Sequence, residues 1–443
     1  MRIPKTPPKF EELTQEESST YVENLFSDVF SSTIDNKYLH WDKLKYYEAP
    51  AGLSHKVWWF VIKGARQSLY KQIPLKDKKG QNFRYAIIDS ITKSLHEIDK
   101  GAAGQILMDS STINTENRDR YLISSLVHEA ITSSQLEGAA TTREVAKDML
   151  KSGRAPRDKS EQMILNNFKT MQQIRKLKDK PLTKEMVFDI HRMVTEDTLD
   201  KPDAAGRFRQ EDEKIRVEDN YNNVLHEPPA ASELEHRMQL FCDFANCKIP
   251  EAFVHPVIRS IILHFWLAYD HPFVDGNGRT ARALFYWSML RQGYWLFEYI
   301  SISEIIINAP SKYGRAFLYT ETDDNDLTYF VLYHLDIIDR AVQQLHTYIN
   351  TKSQQMQNLE RQLGGMEVLN HRQQALISHA IRHSGFRYTV NSHKVSHNIS
   401  YETARTDLME LEKQGLLTSL KVGRKMYFTP IKDLETKLAK LSN

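Results

Sequence analysis

Apolar residues spaced three and four apart run through Ile258, Ile261, Ile262, Phe265, Trp266 and Tyr269, and a helical pattern resumes over residues 279–291 after a break rich in Gly and Asn. That spacing gathers the apolar side chains on one face of a helix over 256–269. A helix so apolar has to be buried by its neighbours, which commits the chain to a helical core built around the break. Further helical patterns cover 121–137, 161–176, 183–196, 233–244 and 327 onward toward 362, with Thr183 as the expected N-cap of its helix. Residues 83–100 read as an amphipathic helix with Ile87, Ile91, Leu95 and Ile98 on one face; 57–62 is a short apolar run and 151–159 a polar loop. The expected class is therefore mainly α, and 443 residues suffice for two or three domains.

The polar stretch 203–229 breaks the helical rhythm. Ile215 and Val217 alternate in β fashion, five polar residues from Asp219 to Asn223 form a turn, and Val224-Leu225 follow before Pro228-Pro229. It reads as a small β-hairpin with a loose turn. No stretch approaches the roughly 20 apolar residues of a membrane span. The first residues are polar and include proline, without an apolar signal core. Cys242 and Cys247 are too few for a disulfide framework and are read as reduced thiols, so the expected location is cytoplasmic.

The break itself carries the chemistry: His271-Pro272-Phe273-Val274-Asp275-Gly276-Asn277-Gly278-Arg279-Thr280-Ala281-Arg282. A histidine at the end of a rigid helix can take a proton from an attacking hydroxyl. Asp275 is a hard carboxylate suited to Mg²⁺, which pairs one or two carboxylates with phosphate oxygens. Gly276-Asn277-Gly278 permits a tight turn that aims N–H groups at an anion where the next helix begins. Arg279 and Arg282, three apart, share a helix face and can clamp adjacent phosphates. A Gly-Asn-Gly turn alone would be a capped loop between core helices. Base, metal ligand, anion nest and paired arginines together are the parts of phosphoryl or nucleotidyl transfer.

The segment matches at every specified position the Fic family signature, His-x-Phe-x-Asp/Glu-Gly-Asn-Gly-Arg-x-x-Arg, and so resembles a Fic protein. The resemblance implies a Fic helical bundle with a small β-hairpin flap, and transfer of AMP from ATP to a Ser, Thr or Tyr hydroxyl of a protein, the chain itself included. It implies His271 as general base, Asp275 as Mg²⁺ ligand, Gly276, Asn277, Gly278 and Arg279 around the α- and β-phosphates, and Arg282 on the γ-phosphate. Gly278, where Doc-type kinases carry Lys, favours nucleotidyl transfer. Residues 207–228 stand in the place of the flap, which pins the target segment by strand addition. Tyr313, in Lys312-Tyr313-Gly314-Arg315, resembles the tyrosine that lines the base. Upstream, Ser133-Ser134-Gln135-Leu136-Glu137-Gly138 resembles the Fic inhibitory motif, with Ser133, Glu137 and Gly138 at its marked places. A Glu137 carboxylate on Arg282 would occupy the γ-phosphate's arginine; read alone, the segment is a helix C-terminus with Gly138 at C′. His128, His255 and His264 are read as structural. A homodimer is a further implication of the resemblance.

From 371 to 443 the chain holds 12 Lys/Arg and 6 Asp/Glu, a net +6 against −4 for the remainder. Helical patterns near 373–383, 390–397 and 400–411, then a hairpin over 416–428, resemble a winged helix. Arg424 and Lys425 at the wing tip can reach phosphate, while Glu402, Asp407, Glu410 and Glu412 on the third helix oppose nucleic acid. DNA and protein both remain as partners. The organisation expected is an N-terminal segment (1–110), an inhibitory helix region (111–158), a Fic core (159–362) and a winged helix-turn-helix domain (363–443), Gly364-Gly365 being the linker. Two other functions stay open: an ATP-sensing DNA-binding regulator, and removal of AMP at the same site.

Overall fold

The computed structural model describes residues 2–25, 27–103, 115–219, 221–249, 253–364, 368–383, 386–422, 425–431, 433–434 and 437–438. The 110/111 boundary, Gly365 of the expected linker and the wing-tip residues Gly423 and Arg424 lie outside the described residues. The chain divides into two compact units: Met1–Gly104 with Ile123–Val342, and Gln105–Leu122 with Gln343–Asn443.

The first unit is helical, with two small antiparallel hairpins among its described residues. In order come α1 (His55–Gln67), the hairpin β1 (Tyr70–Lys76) and β2 (Asn82–Ala86), α2 (Asp89–Ile98), α3 (Thr115–Leu136), which contains the division at 122/123, α4 (Arg143–Ser152), α5 (Lys159–Leu177) and α6 (Lys184–Thr195). The hairpin β3 (Val217–Glu218) and β4 (Val224–His226) follows, then α7 (Leu234–Ala245), α8 (Pro256–Asp270), α9 (Asn277–Arg291), α10 (Pro310–Thr322) and α11 (Thr328–Gly364), which contains the division at 342/343. No helix among the described residues is long and apolar enough to cross a membrane.

Local chemistry explains the boundaries. Thr183 Oγ1 accepts the Met186 N–H at 3.2 Å and starts α6, and Asp158 does the same for α5 through Glu161 N at 2.8 Å. Pro256 opens α8, where its missing N–H is not needed. α8 and α9 bury residues on nearly every face and form the centre of the unit, as the apolar spacing required.

The expected helix over 83–100 is corrected. Its first part is strand β2, in which Phe83 and Tyr85 alternate inward, and only residues from Asp89 are helical. Asp77 closes the hairpin by accepting the N–H groups of Lys79 and Gln81, both at 2.8 Å. Phe83 then packs on Phe265 and Tyr269 of α8, ring centres 5.3 and 4.9 Å apart. The apolar run 57–62 belongs to α1 and is mostly buried. Cys242 and Cys247 are free.

In the second unit Asn370 caps α12 (His371–Arg382), Thr389 caps α13 (Val390–His397) and Ser400 caps α14 (Tyr401–Lys413). β5 (Leu417–Val422) pairs with β6 (Lys425–Pro430), and Tyr388 bridges Phe428 as a third, single-residue rung. Leu376, Ile377, Leu408, Leu411, Leu417 and Phe428 share its core.

Candidate active site

The site lies where α8 ends and α9 begins. His271 caps α8 in the left-handed conformation, with φ 45°, and its N–H still bonds Leu267 O at 3.0 Å. Its Nδ1 lies 3.2 Å from the Ala268 carbonyl, an acceptor, so Nδ1 carries the proton and Nε2 keeps its lone pair. Burial holds the imidazole down at about 4, which keeps it neutral at ordinary pH.

Between His271 and α9 the loop is locked by side chains. Asn277 Oδ1 accepts Phe273 N at 3.0 Å and Asn277 Nδ2 donates to Phe273 O at 2.8 Å. The Asn277 side chain thus closes the turn, and what it offers an anion is its backbone N–H. Gly276 has φ +81°, and a Cβ there would stand 2.6 Å from Thr195 Cγ2, so both the turn and the close approach of α6 require glycine. Asn277, Gly278 and Arg279 form the first turn of α9, whose N–H groups a helix leaves without internal partners.

Asp275 Oδ1 accepts Gly276 N at 2.5 Å and lies 3.6 Å from Arg279 Nη2, with its side chain half exposed. No group of three His, Cys, Asp or Glu gathers for a metal among the described residues. One open carboxylate beside an anion nest fits Mg²⁺, which takes its other ligands from phosphate and water. Arg279 is buried and donates from Nη1 to Val194 O at 2.8 Å, tying α9 to α6.

Arg282 is engaged. Nε donates to Ser133 Oγ at 2.8 Å, and Nη2 to Ser133 O and to Glu137 Oε1, both at 2.9 Å. The arginine side chain is 2% exposed and the glutamate 27%, so the pair is shielded on the arginine side. Glu137 also lies against Gly278: a Cβ there would stand 2.2 Å from Glu137 Oε1. Gly138, at φ +92°, ends the helix, with Ala139 N reaching back to Ser134 O at 3.0 Å. The segment is thus a helix terminus and a partner of Arg282 at once.

Tyr313 on α10 lies with its hydroxyl 2.9 Å from His264 Nε2, and burial pushes the phenol up to about 12. The ring meets Phe317 edge-on at 5.1 Å. Among the three histidines read as structural, His255 caps α8 and bonds Asp99 at 3.1 Å, and His128 lies 3.6 Å from Glu304.

Three residues escaped the sequence reading. His191 on α6 stacks on Phe273 with centres 3.8 Å apart; its Nδ1 accepts Gly206 N and its Nε2 donates to Asp275 O, both at 2.9 Å. Arg209 donates from Nε to His271 O at 2.9 Å and from Nη2 to Pro229 O, joining both roots of the β3–β4 hairpin to His271. Glu129 on α3 is 2% exposed and accepts from Tyr286 Oη at 2.9 Å, Ser301 Oγ at 2.7 Å, Ser303 Oγ at 2.6 Å and Ser303 N at 3.2 Å. The local motif around Arg209, Gly206-Arg207-Phe208-Arg209, was the one available signal; His191 and Glu129 are single polar residues within helical patterns.

Residues 181–289 match the family model described as Fic/DOC family. The chain is 38% identical over 117 residues to the protein adenylyltransferase Fic of Nematostella vectensis and 33% identical over 116 residues to that of Drosophila willistoni. Each match covers 26% of this chain, and 25% and 20% of those relatives. In fold, a Fic family protein from Desulfovibrio desulfuricans G20 superposes with a TM-score of 0.52 at 19% identity, over 79% of this chain and 98% of that one. The loop from His271 to Arg282 and the helices that hold it are accordingly a Fic domain.

Proposed function

We propose that this protein transfers AMP from ATP to a Ser, Thr or Tyr hydroxyl of a protein, with Glu137 holding the site in an inhibited state. The observation that carries the reading is a neutral His271, its Nε2 lone pair free, at the mouth of a loop that ends in an anion-binding helix terminus. The target oxygen attacks the α-phosphorus, the new O–P bond forms as the bond to the bridging oxygen breaks, and pyrophosphate leaves. His271 Nε2 takes the hydroxyl proton. Asn277, Gly278 and Arg279 N–H groups stabilise the charge on the phosphates, and Arg282 holds the γ-phosphate once Glu137 releases it. Asp275 would hold Mg²⁺, which would supply positive charge beside the phosphates. Tyr313 lines the base.

The hairpin over 207–228 receives the target as an added strand, aligned by Arg209 with His271. The setting inferred is cytoplasmic, in keeping with the free Cys242 and Cys247, and the assembly a homodimer through helical faces. Incubation with α-labelled ATP and Mg²⁺ tests the reading. Label should be weak with wild type, at least about tenfold stronger with Glu137→Gly, since a charge-assisted contact is worth about 1.5–3 kcal/mol, and absent with His271→Ala. Equal labelling by wild type and Glu137→Gly would remove the inhibitory role; no label from any of them, host lysate included, would remove the transferase reading.

A further inference from the structure

We propose that the C-terminal unit binds duplex DNA, with α14 in the major groove and Lys421 and Lys425 of the β5–β6 hairpin on the phosphate backbone. This function is separate from adenylyl transfer and does not depend on it. Composition argues weakly for it, because α14 carries four acids; their placement changes the balance. Asp407 is buried and accepts from Arg372 Nε at 2.8 Å, Asn370 Nδ2 at 2.9 Å and His393 Nε2 at 3.0 Å. Glu410 accepts from Gln373 Nε2 at 2.8 Å, and Glu412 accepts the Ser419 N–H at 3.0 Å. Three of the four acids thus bond α14 to α12 and β5; Asp407 is buried, while Glu410 and, at the first turn, Glu402 stay exposed.

Ala404, Leu408 and Leu411 face inward, so the opposite side presents Arg405, Thr406 and Met409, with Tyr401 at the start, all exposed. A guanidinium, a hydroxyl and an apolar side chain are the groups that read base edges and thymine methyls. Lys394 on α13, Lys413 on α14, and Lys421 and Lys425 on the hairpin are exposed and positive. The Tyr388–Phe428 bridge sets a third rung beside β6, with bonds of 2.8 Å in both directions, and braces the hairpin that carries two of these lysines. A 13-residue helix, capped by Ser400, fits a groove about 12 Å wide, while braced lysines meet the flanking phosphates.

The test uses the full chain and a fluorescent duplex of mixed sequence, about three helical turns long. Binding should weaken about 10²-fold between roughly 50 and 200 mM salt, as expected for four or five phosphate contacts. The triple variant Arg405→Ala, Lys421→Ala, Lys425→Ala should bind at least about tenfold more weakly and lose about 2 from the slope of log K against log salt, about one for each phosphate-contacting lysine. Circular dichroism checks that it folds. His271→Ala should bind as wild type does, so a failed labelling experiment leaves this one standing. No binding at low salt overturns the proposal, as does an unchanged salt slope in the triple variant. Absent DNA binding, a mass change on Leu420→Asp with Met426→Asp, both exposed on the β5–β6 hairpin, would assign that hairpin to a protein contact instead.

Discussion

His191 holds the loop from underneath, and its two nitrogens have different duties. Accepting from Gly206 fixes the tautomer that donates to Asp275 O, and burial keeps the ring neutral by holding it down at about 4. His191→Phe keeps the stack on Phe273 and loses both hydrogen bonds. In the Glu137→Gly background it should lower the labelling rate by about ten- to a hundredfold, because small misplacements of reacting groups cost that much; His191→Gln should recover part of it. An unchanged rate would make the residue mere filling. His271 itself acts as a base only when neutral, and its value of about 4 places the acid limb of activity there. Labelling by Glu137→Gly, followed against pH, should therefore persist below pH 6 and fall toward pH 4; a fall centred at 6.5 would show a solvent-exposed imidazole.

α3 is pinned by more than its terminal ion pair. Glu129, two turns before Glu137, gathers four donors from Tyr286, Ser301 and Ser303, and Ser125 Oγ donates to Tyr299 O at 2.8 Å. Glu129→Ala leaves three buried hydroxyls without their acceptor, at a cost of about 1–3 kcal/mol, and loosens the helix that presents Ser133 and Glu137. Labelling should then rise above wild type but stay below Glu137→Gly, with faster amide exchange over 127–138. Unchanged exchange would show that the ion pair alone holds the helix. Of the elements, the long periodic helices were legible, because apolar spacing records burial directly. Strand β2 was misread because Phe83 and Tyr85 precede a true helix, and a two-residue alternation is too short to separate from a helical face.

At the scale of the whole molecule, the buried histidines set the response to acid. His40, His191 and His271 are held down at about 4 and His334 at about 3 by burial, against 6.5 in the unfolded chain. As pH falls below 6.5 the unfolded chain takes up protons first, so their contribution to stability is complete above 6.5 and is lost on the way down to about 4. Each costs about 1.4 kcal/mol per pH unit in that window. Melting temperature should be level above pH 7 and decline steadily from 6.5 to 4; a decline that begins only below 4 would assign acid sensitivity to carboxylates instead.

The sequence by itself determined the helical class, the loop from His271 to Arg282, the hairpin before it and the three helices and hairpin of the last segment. These depend on neighbours within a few residues, where period and turn chemistry act. Tertiary structure decided what lies across the chain: the Ser133 and Glu137 contacts to Arg282, 149 and 145 residues away, the Glu137 carboxylate against Gly278, and the tautomers of His191 and His271. It also turned Asp407 from a surface acid into a buried anchor. A charge or ring nitrogen takes its role from the partner that packing brings to it, and no local pattern records which partner that is.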